Sequence, residues 1–275
     1  MLHDWLRIAM TKTFLMCEPK YFDVYYVINP WMAGNEGKVD RKLAEKQWQN
    51  LHDILSRKAT IKLIEPVTGL PDMVFTANGG LVYRNHKAIT SSFRHLERQA
   101  ESGYFRKYFE DSGYLVSELG SGIHFEGAGD ALYDSSGQIW MGYGHRSDIE
   151  AAHEIASIFQ TRVIRLTLVD SKWYHLDTAF CPLERGYVIA YKKAFSAESA
   201  GNIQNAFGGK AIWVSDEDAH DFACNAVNIG SDVIMHRASD KLKTALEEAG
   251  FNIIEANVSE FIKAGGACKC LTLEL

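Results

Sequence analysis

"GGACKCLTLEL", Gly265–Leu275, reads as a tight glycine turn, two thiols one residue apart, and an alternating apolar tail. An apolar alternation of this kind predicts a buried β-strand, here at the end of the chain with no following strand to pair with. Four earlier stretches have the same grammar of a polar turn with small residues, an apolar strand, a tight turn and a second strand. They are "VFTANGGLVYRNHKAITSS", "FEGAGDALYDSSGQIWMGYG", "HLDTAFCPLERGYVIAYKK" and "FACNAVNIGSDVIMHR". A helix-like segment follows each of these four. The polar markers Asn78, Asp130, Asp177, Asn225 and Cys270 fall 45 to 52 residues apart, the signature of a repeated supersecondary unit. The fifth unit stops after its first strand, while "FLMCEPKYFDVYYVINPWM" near the N-terminus supplies strands without a first one. The two halves complete each other if the chain closes into a ring, which gathers all five polar turns around one centre.

The remaining pattern agrees with an α/β class. "FLMCEP", "YYVINP", "TIKLIEP", "MVFTANGGLVYR" and "KAITSSF" are rich in β-branched and aromatic residues and are interrupted by Gly, Pro and Asn, so they read as strands. "RKLAEKQWQNLHDILSRK" places Leu43, Trp48, Leu51 and Leu55 on one helical face. "HLERQAESGYFRKYFEDSG", "RSDIEAAHEIASIFQ", "SAESAGNIQNAFG" and "ASDKLKTALEEAG" read as further helices, the last three opening on a Ser cap. Residues 1–275 are expected to form a single catalytic domain, with residues 1–11 as an N-terminal extension ahead of a second potential start at Met10.

The net charge of −6 disfavours nucleic acid as a partner and suits a cationic small molecule. No apolar run approaches a membrane span, and the N-terminus lacks the pattern of a signal peptide. Cys17, Cys181, Cys224, Cys268 and Cys270 are odd in number and not spaced as a disulfide framework, so a cytoplasmic location is expected. The oligomeric state is not legible, and a homo-oligomer stays open.

Ring closure draws together residues from separate turns. Glu126 lies in "FEGAGD", His175 and Asp177 in "YHLDT", and Cys270 in "KCLTL". A cysteine with a histidine and carboxylates nearby is the composition of a thiolate nucleophile with an acid–base partner. Residues two apart on a strand share a face, which predicts that His175 and Asp177 both look inward, as would Cys268 and Cys270. For the other cysteines a small hydrophobic core role is the plainer reading. A zinc site is disfavoured, because a second thiol pair and C-x-x-C spacing are missing.

On these motifs the chain resembles the guanidino-group-modifying (pentein) superfamily of arginine deiminases, dimethylarginine dimethylaminohydrolases and amidinotransferases. Within it the chain is most similar to bacterial arginine dihydrolases. The resemblance runs from about Phe14 to Leu275 through "YFDVYYVINPWM", "LPDMVFTANGGLV", "EGAGDAL", "GYGHRSDIEA", "HLDTAF" and "KCLTLEL". It implies a fivefold pseudosymmetric α/β propeller of ββαβ-type repeats, in agreement with the ring. It also implies Cys270 as nucleophile, His175 as general acid/base, and Glu126 and Asp177 as carboxylates facing the guanidinium, with Cys268 a neighbour. Arg98 and Arg146 are implied to clamp the substrate α-carboxylate, Asp72 to meet its α-ammonium, and Asp130 to orient the site. No metal or organic cofactor is implied. Where deiminases and dimethylarginine hydrolases carry Asp, this chain has Asn78 in "FTAN", with Asn29 in "INPWM", as arginine dihydrolases do. An amide can donate to the neutral ureido oxygen of citrulline, which a carboxylate would repel. The implied reaction therefore continues from arginine through citrulline to ornithine, ammonia and carbon dioxide. A deiminase stopping at citrulline and a dimethylarginine hydrolase are the alternatives within the class. A non-catalytic propeller, as in the ribosome anti-association factor, is the alternative outside it.

Overall fold

The computed structural model describes residues 12–84 and 86–275; the proposed extension at 1–11 lies outside the described residues. In chain order the strands are β1 Thr13–Cys17, β2 Thr60–Ile64, β3 Gly80–Tyr83, β4 Lys87–Thr90, β5 Leu115–Ser117, β6 Ala131–Tyr133, β7 Ile139–Tyr143, β8 Val163–Thr167, β9 Phe180–Leu183, β10 Tyr187–Ala190, β11 Ala211–Trp213, β12 Val227–Ile229, β13 Asp232–Met235, β14 Asn252–Glu255 and β15 Leu273–Glu274. They form five three-stranded sheets of one design. In each, an inner strand pairs antiparallel with the middle strand, and the middle strand pairs parallel with the outer one. The parallel step requires a crossover, and a helix supplies it every time: Arg41–Ser56, Glu101–Asp111, Ala151–Phe159, Ala197–Phe207 and Asp240–Glu248.

The expected ring closes. Phe14 pairs with Glu274 and Leu15 with Leu273, so the last strand of the chain is the inner strand of the sheet begun by the first. This explains the apolar character of the C-terminal tail: Leu271 and Leu273 are buried where the sheet needs them.

Each helix covers its own sheet. Ala44, Trp48, Leu51 and Leu55 of the first helix pack with Phe14 and Met16, and Phe105 and Phe109 pack with Ala88 and Ile89. Leu242 and Leu246 do the same beside Val233 and Met235. Burying each such Val, Leu, Ile, Met or Phe side chain contributes about 1.5–3 kcal/mol. The expected face of the first helix holds at Trp48, Leu51 and Leu55 and differs only at its first member. Leu43 is 39% exposed while Ala44 is buried, because steps of four, three and four from residue 44 follow the helical period through Trp48, Leu51 and Leu55. Ser196 and Ser239 cap their helices as expected, accepting from the amides of Ser199 and Leu242. The segment expected as one helix over residues 95–113 is broken at Ala100 into Leu96–Gln99 and Glu101–Asp111.

One expected strand, and the first half of another, are not strands. Residues 22–36, containing "YYVINP", run irregularly and then turn at 30–34, and residues 71–79 form two 3₁₀ turns, so that "MVFTANGGLVYR" becomes a strand only at β3. The polar groups of these segments bond to neighbouring units rather than to a strand ladder, which is what the turns at the ring's centre have in common. At the far end of the axis, the C-terminal ends of the inner strands border a cavity of about 330 Å³, lined in part by Val82, Leu132, Cys181 and Lys269. Cys270 is not among its lining residues.

Candidate active site

The five marker residues occupy one station each, just before an inner strand, and every station is bonded to the next. Asn78 Nδ2 donates to the carbonyl of Glu126 (3.5 Å). The amide of Leu176 donates to Asp130 Oδ1 (3.1 Å). Asn225 Nδ2 donates to the carbonyl of Asp177 (3.1 Å), and its Oδ1 accepts from the amides of Cys270 (3.0 Å) and Ala267 (3.1 Å). The amide of Ala77 donates to the carbonyl of Cys270 (3.1 Å), completing the circuit. Small residues let the turns approach this closely. A Cβ at Gly129 would collide with Asn78 Nδ2, and Gly127, at φ +61°, would place one 2.6 Å from the carbonyl of Gly80.

The local geometry differs from the expected strand alternation. His175 precedes a 3₁₀ turn, Leu176–Thr178, that contains Asp177, and residues 267–272 form no strand. Both His175 and Asp177 still enter the centre, while Cys268 leaves it. Its thiol faces the carbonyl of Ala256 (3.8 Å) among the apolar residues around Phe261. A shared strand face would have aligned the two thiols; the turn separates them.

Glu126, His175, Asp177, Cys270, Asn78, Asp72, Arg98 and Arg146 are each no more than 3% exposed, so their charges interact with little solvent screening. They divide into two groups. In the first, His175 Nε2 lies 2.7 Å from Glu126 Oε2, which also accepts from Arg146 Nη1 at 3.0 Å. Glu126 Oε1 accepts from the amide of Arg94 (3.3 Å). Burial alone would raise the pKa of Glu126, but Arg146 and His175 outweigh it and hold the carboxyl well below the usual range. Burial lowers His175 to about 4 against the pull of Glu126, so the free imidazole is neutral. With Nε2–H directed at the carboxylate, Nδ1 carries the lone pair and faces Asn78 Nδ2 at 3.4 Å. Asn78 Oδ1 accepts from Arg98 Nη1 (2.9 Å). Because a guanidinium only donates, this bond orients the amide and turns its NH₂ toward His175.

In the second group, the Cys270 thiol lies 3.3 Å from Asp177 Oδ2 and accepts from Asn225 Nδ2 at 3.1 Å. Asp177 Oδ1 has no partner among the described residues. Burial raises Asp177 to about 6 and, with the Asp177 charge beside it, pushes the Cys270 thiol up. Asp72 is similar. Its Oδ2 accepts from Tyr26 (2.9 Å), its Oδ1 has no partner among the described residues, and burial raises its pKa despite Arg98. Two orphaned carboxylate oxygens in a buried site form a receptor for a cation with donors at both ends.

The other anticipated residues are placed as follows. Arg98 forms a two-pronged pair with Glu101 (2.9 and 2.7 Å) and donates to the carbonyl of Asp72 (3.1 Å). Arg146 donates to Glu126 and to the carbonyl of Ile28 (2.8 Å) and lies over the Tyr174 ring. Asn29 accepts from the amides of Trp31 and Met32 and donates to the carbonyl of Ala264 (3.0 Å), bracing its loop. Asp130 accepts from Ser147 Oγ (2.6 Å), and that oxygen also accepts from the amide of Glu126 (3.0 Å). Ser147 therefore serves the site and not the helix it was expected to cap. Ser147, Glu101 and Tyr26 carried no sequence signal of a site role. Asn225 did, through its register with the other four markers.

The sequence profile described as N,N dimethylarginine dimethylhydrolase, eukaryotic, matches residues 27–275. The bifunctional arginine dihydrolase/ornithine cyclodeaminase AgrE of Nostoc sp. is 48% identical over 264 residues, 95% of this chain and 37% of AgrE. The chain thus spans little more than a third of that curated relative. The N(G),N(G)-dimethylarginine dimethylaminohydrolase of Mycobacterium tuberculosis is 38% identical over 98% of this chain and 87% of its own length. Among solved structures, the substrate-bound N-terminal domain of ArgZ, a cyanobacterial arginine dihydrolase, in a cysteine-to-serine variant, is 47% identical. It covers 96% of this chain and 97% of its own, with a TM-score of 0.94. An asparagine-to-serine variant of the same domain, covalently bound to a reaction intermediate, matches with the same coverage and TM-score.

Proposed function

The chain belongs to the N,N-dimethylarginine dimethylhydrolase family, and from that premise we propose that it is an arginine dihydrolase working through Cys270. One observation carries the reading: Asp177 is buried, bonded through one oxygen to the Cys270 thiol, and unpartnered at the other. A planar cation bridging that oxygen would bring its central carbon against the sulfur. ArgZ, whose cysteine-to-serine variant holds substrate, supports the same class of chemistry.

The steps follow from the site. The substrate guanidinium pairs with Asp177, and its positive charge favours the thiolate of Cys270. As the sulfur attacks the guanidinium carbon, the proton of the Cys270 thiol passes to the neutral His175, and the imidazolium, held by Glu126, gives it to the nitrogen that departs as ammonia. A covalent thiouronium remains. His175 takes a proton from water, which attacks the same carbon, and the thiolate leaves, giving citrulline. In the second round the sulfur attacks the ureido carbon, the second ammonia leaves, and water releases a carbamic acid that loses carbon dioxide. The sum is arginine plus two waters to ornithine, two ammonia and carbon dioxide. Asp72 is assigned to the α-ammonium through its free oxygen. Arg146, with more free N–H groups than Arg98, is the stronger partner for the α-carboxylate, and Arg98 acts through Asn78. Asn29 holds the loop that carries Ile28 over Arg146. Asn78 offers its N–H to the ureido oxygen.

The test is to incubate the purified protein with arginine and count products. Ornithine with two ammonia per arginine is expected. Citrulline with one ammonia would replace the proposal by a deiminase, dimethylamine released from dimethylarginine by a dimethylarginine hydrolase, and no turnover of either by a binding protein.

A further inference from the structure

We infer that Asn225 is a catalytic residue whose side-chain N–H holds the Cys270 sulfur as a thiolate. The inference rests on the cysteine reading above and adds a residue that the guanidino chemistry alone does not require.

Asn225 is fully buried, and all four of its hydrogen-bonding positions are used. Its orientation is dictated by its partners. The main-chain amides of Cys270 and Ala267 can only donate, so the atom facing both is the oxygen. The NH₂ group must then face the carbonyl of Asp177 and the sulfur of Cys270. Among the described residues no other side-chain donor reaches that sulfur. Among those residues Asp177 is the only other polar side chain bonded to it, and an ionised carboxylate opposes a thiolate. The residue expected to activate the thiol is engaged elsewhere: the His175 ring nitrogens meet Glu126 and Asn78, and no hydrogen bond joins His175 to Cys270. A buried sulfur beside a carboxylate needs a donor to ionise at neutral pH, and the Asn225 amide is the group in place to supply one. Because the same amide grips the Cys270 backbone and the Asp177 carbonyl, it also ties the nucleophile to the carboxylate that receives the cation.

Two substitutions separate this role from a structural one. Asn225→Ala removes the donor without adding charge. Asn225→Asp keeps an oxygen for the two backbone amides but removes the N–H. The readout is the pH dependence of Cys270 alkylation by iodoacetamide, mapped by mass spectrometry with Cys270→Ser as background. Both variants are expected to raise the apparent pKa of alkylation by about 1 to 2 and to lower kcat about 10- to 100-fold, with a smaller change in KM. An unchanged alkylation profile in either folded variant would overturn the inference. If neither variant folds, the parent protein decides. The Asn225 side-chain amide resonance is expected to titrate together with Cys270 alkylation, and a pH-invariant resonance overturns the role. Titration in a protein that turns over no arginine would leave the sulfur–amide pair standing and remove only the arginine reading.

Discussion

Asn78 and Asn225 occupy equivalent stations in two repeats, yet their surroundings are opposite in charge. The oxygen of Asn78 is held by Arg98, and its neighbours Glu126 and His175 are tied to Arg146. The oxygen of Asn225 is held by two backbone amides, and among the described residues no cation is bonded to its neighbours Asp177 and Cys270. Where arginines are present, Glu126 stays ionised despite complete burial. Where they are absent, Asp177 rises to about 6 with one oxygen unpaired. The fold places the stations; the cations decide which half is complete and which half waits for a substrate to complete it.

The largest effect should come from the sulfur of the incomplete half. Cys270→Ser is expected to cut turnover by more than about 10⁴-fold, while Cys268→Ser, altering a thiol that faces Ala256, should leave most of it. Steady-state assays on both variants check this, and a substrate-derived mass adduct on Cys268 would reverse the assignment.

Next is the carboxylate that lacks a cation. Asp177→Asn should lower kcat/KM for arginine about 100- to 1000-fold, since a charge-assisted bond to the guanidinium is lost. The parent should show a fall in kcat/KM below about pH 6, where Asp177 takes up a proton, and the variant should lack that limb. The same group sets a sign for stability. Its folded pKa is raised from 3.8 to about 6, so its contribution in the free protein declines as pH rises across that window. Arginine should restore it, giving a larger melting-temperature gain at pH 7 than at pH 5. An equal gain at both would mean that the substrate cation is received elsewhere.

The smallest change probes the complete half. Asn78→Asp keeps an acceptor for Arg98 but turns a second oxygen, in place of an N–H, toward His175. The variant should bind the guanidinium and reject citrulline, so that ammonia per arginine falls from two towards one. Product analysis by mass spectrometry on matched arginine consumption reads this ratio. Ornithine at the parent ratio would show that Asn78 does not select the product.

The sequence by itself determined the ring. Five turns in register, each followed by an apolar strand, can bury their inner strands only around a common axis, and the apolar tail after Cys270 predicts the strand that pairs with β1. It also marked Glu126, His175, Asp177 and Cys270, because ring closure gathers a cysteine, a histidine and carboxylates from separate turns. Tertiary structure decided the rest. It turned Cys268 away from the axis, recruited Ser147 from a helix start, and set Asn225 against the sulfur. It also engaged Arg98 with Glu101, three residues on in the chain. These outcomes depend on which donors and acceptors from different repeats meet within about 3 Å. Periodicity reports the face on which a side chain lies, but not the partner that another unit brings to it.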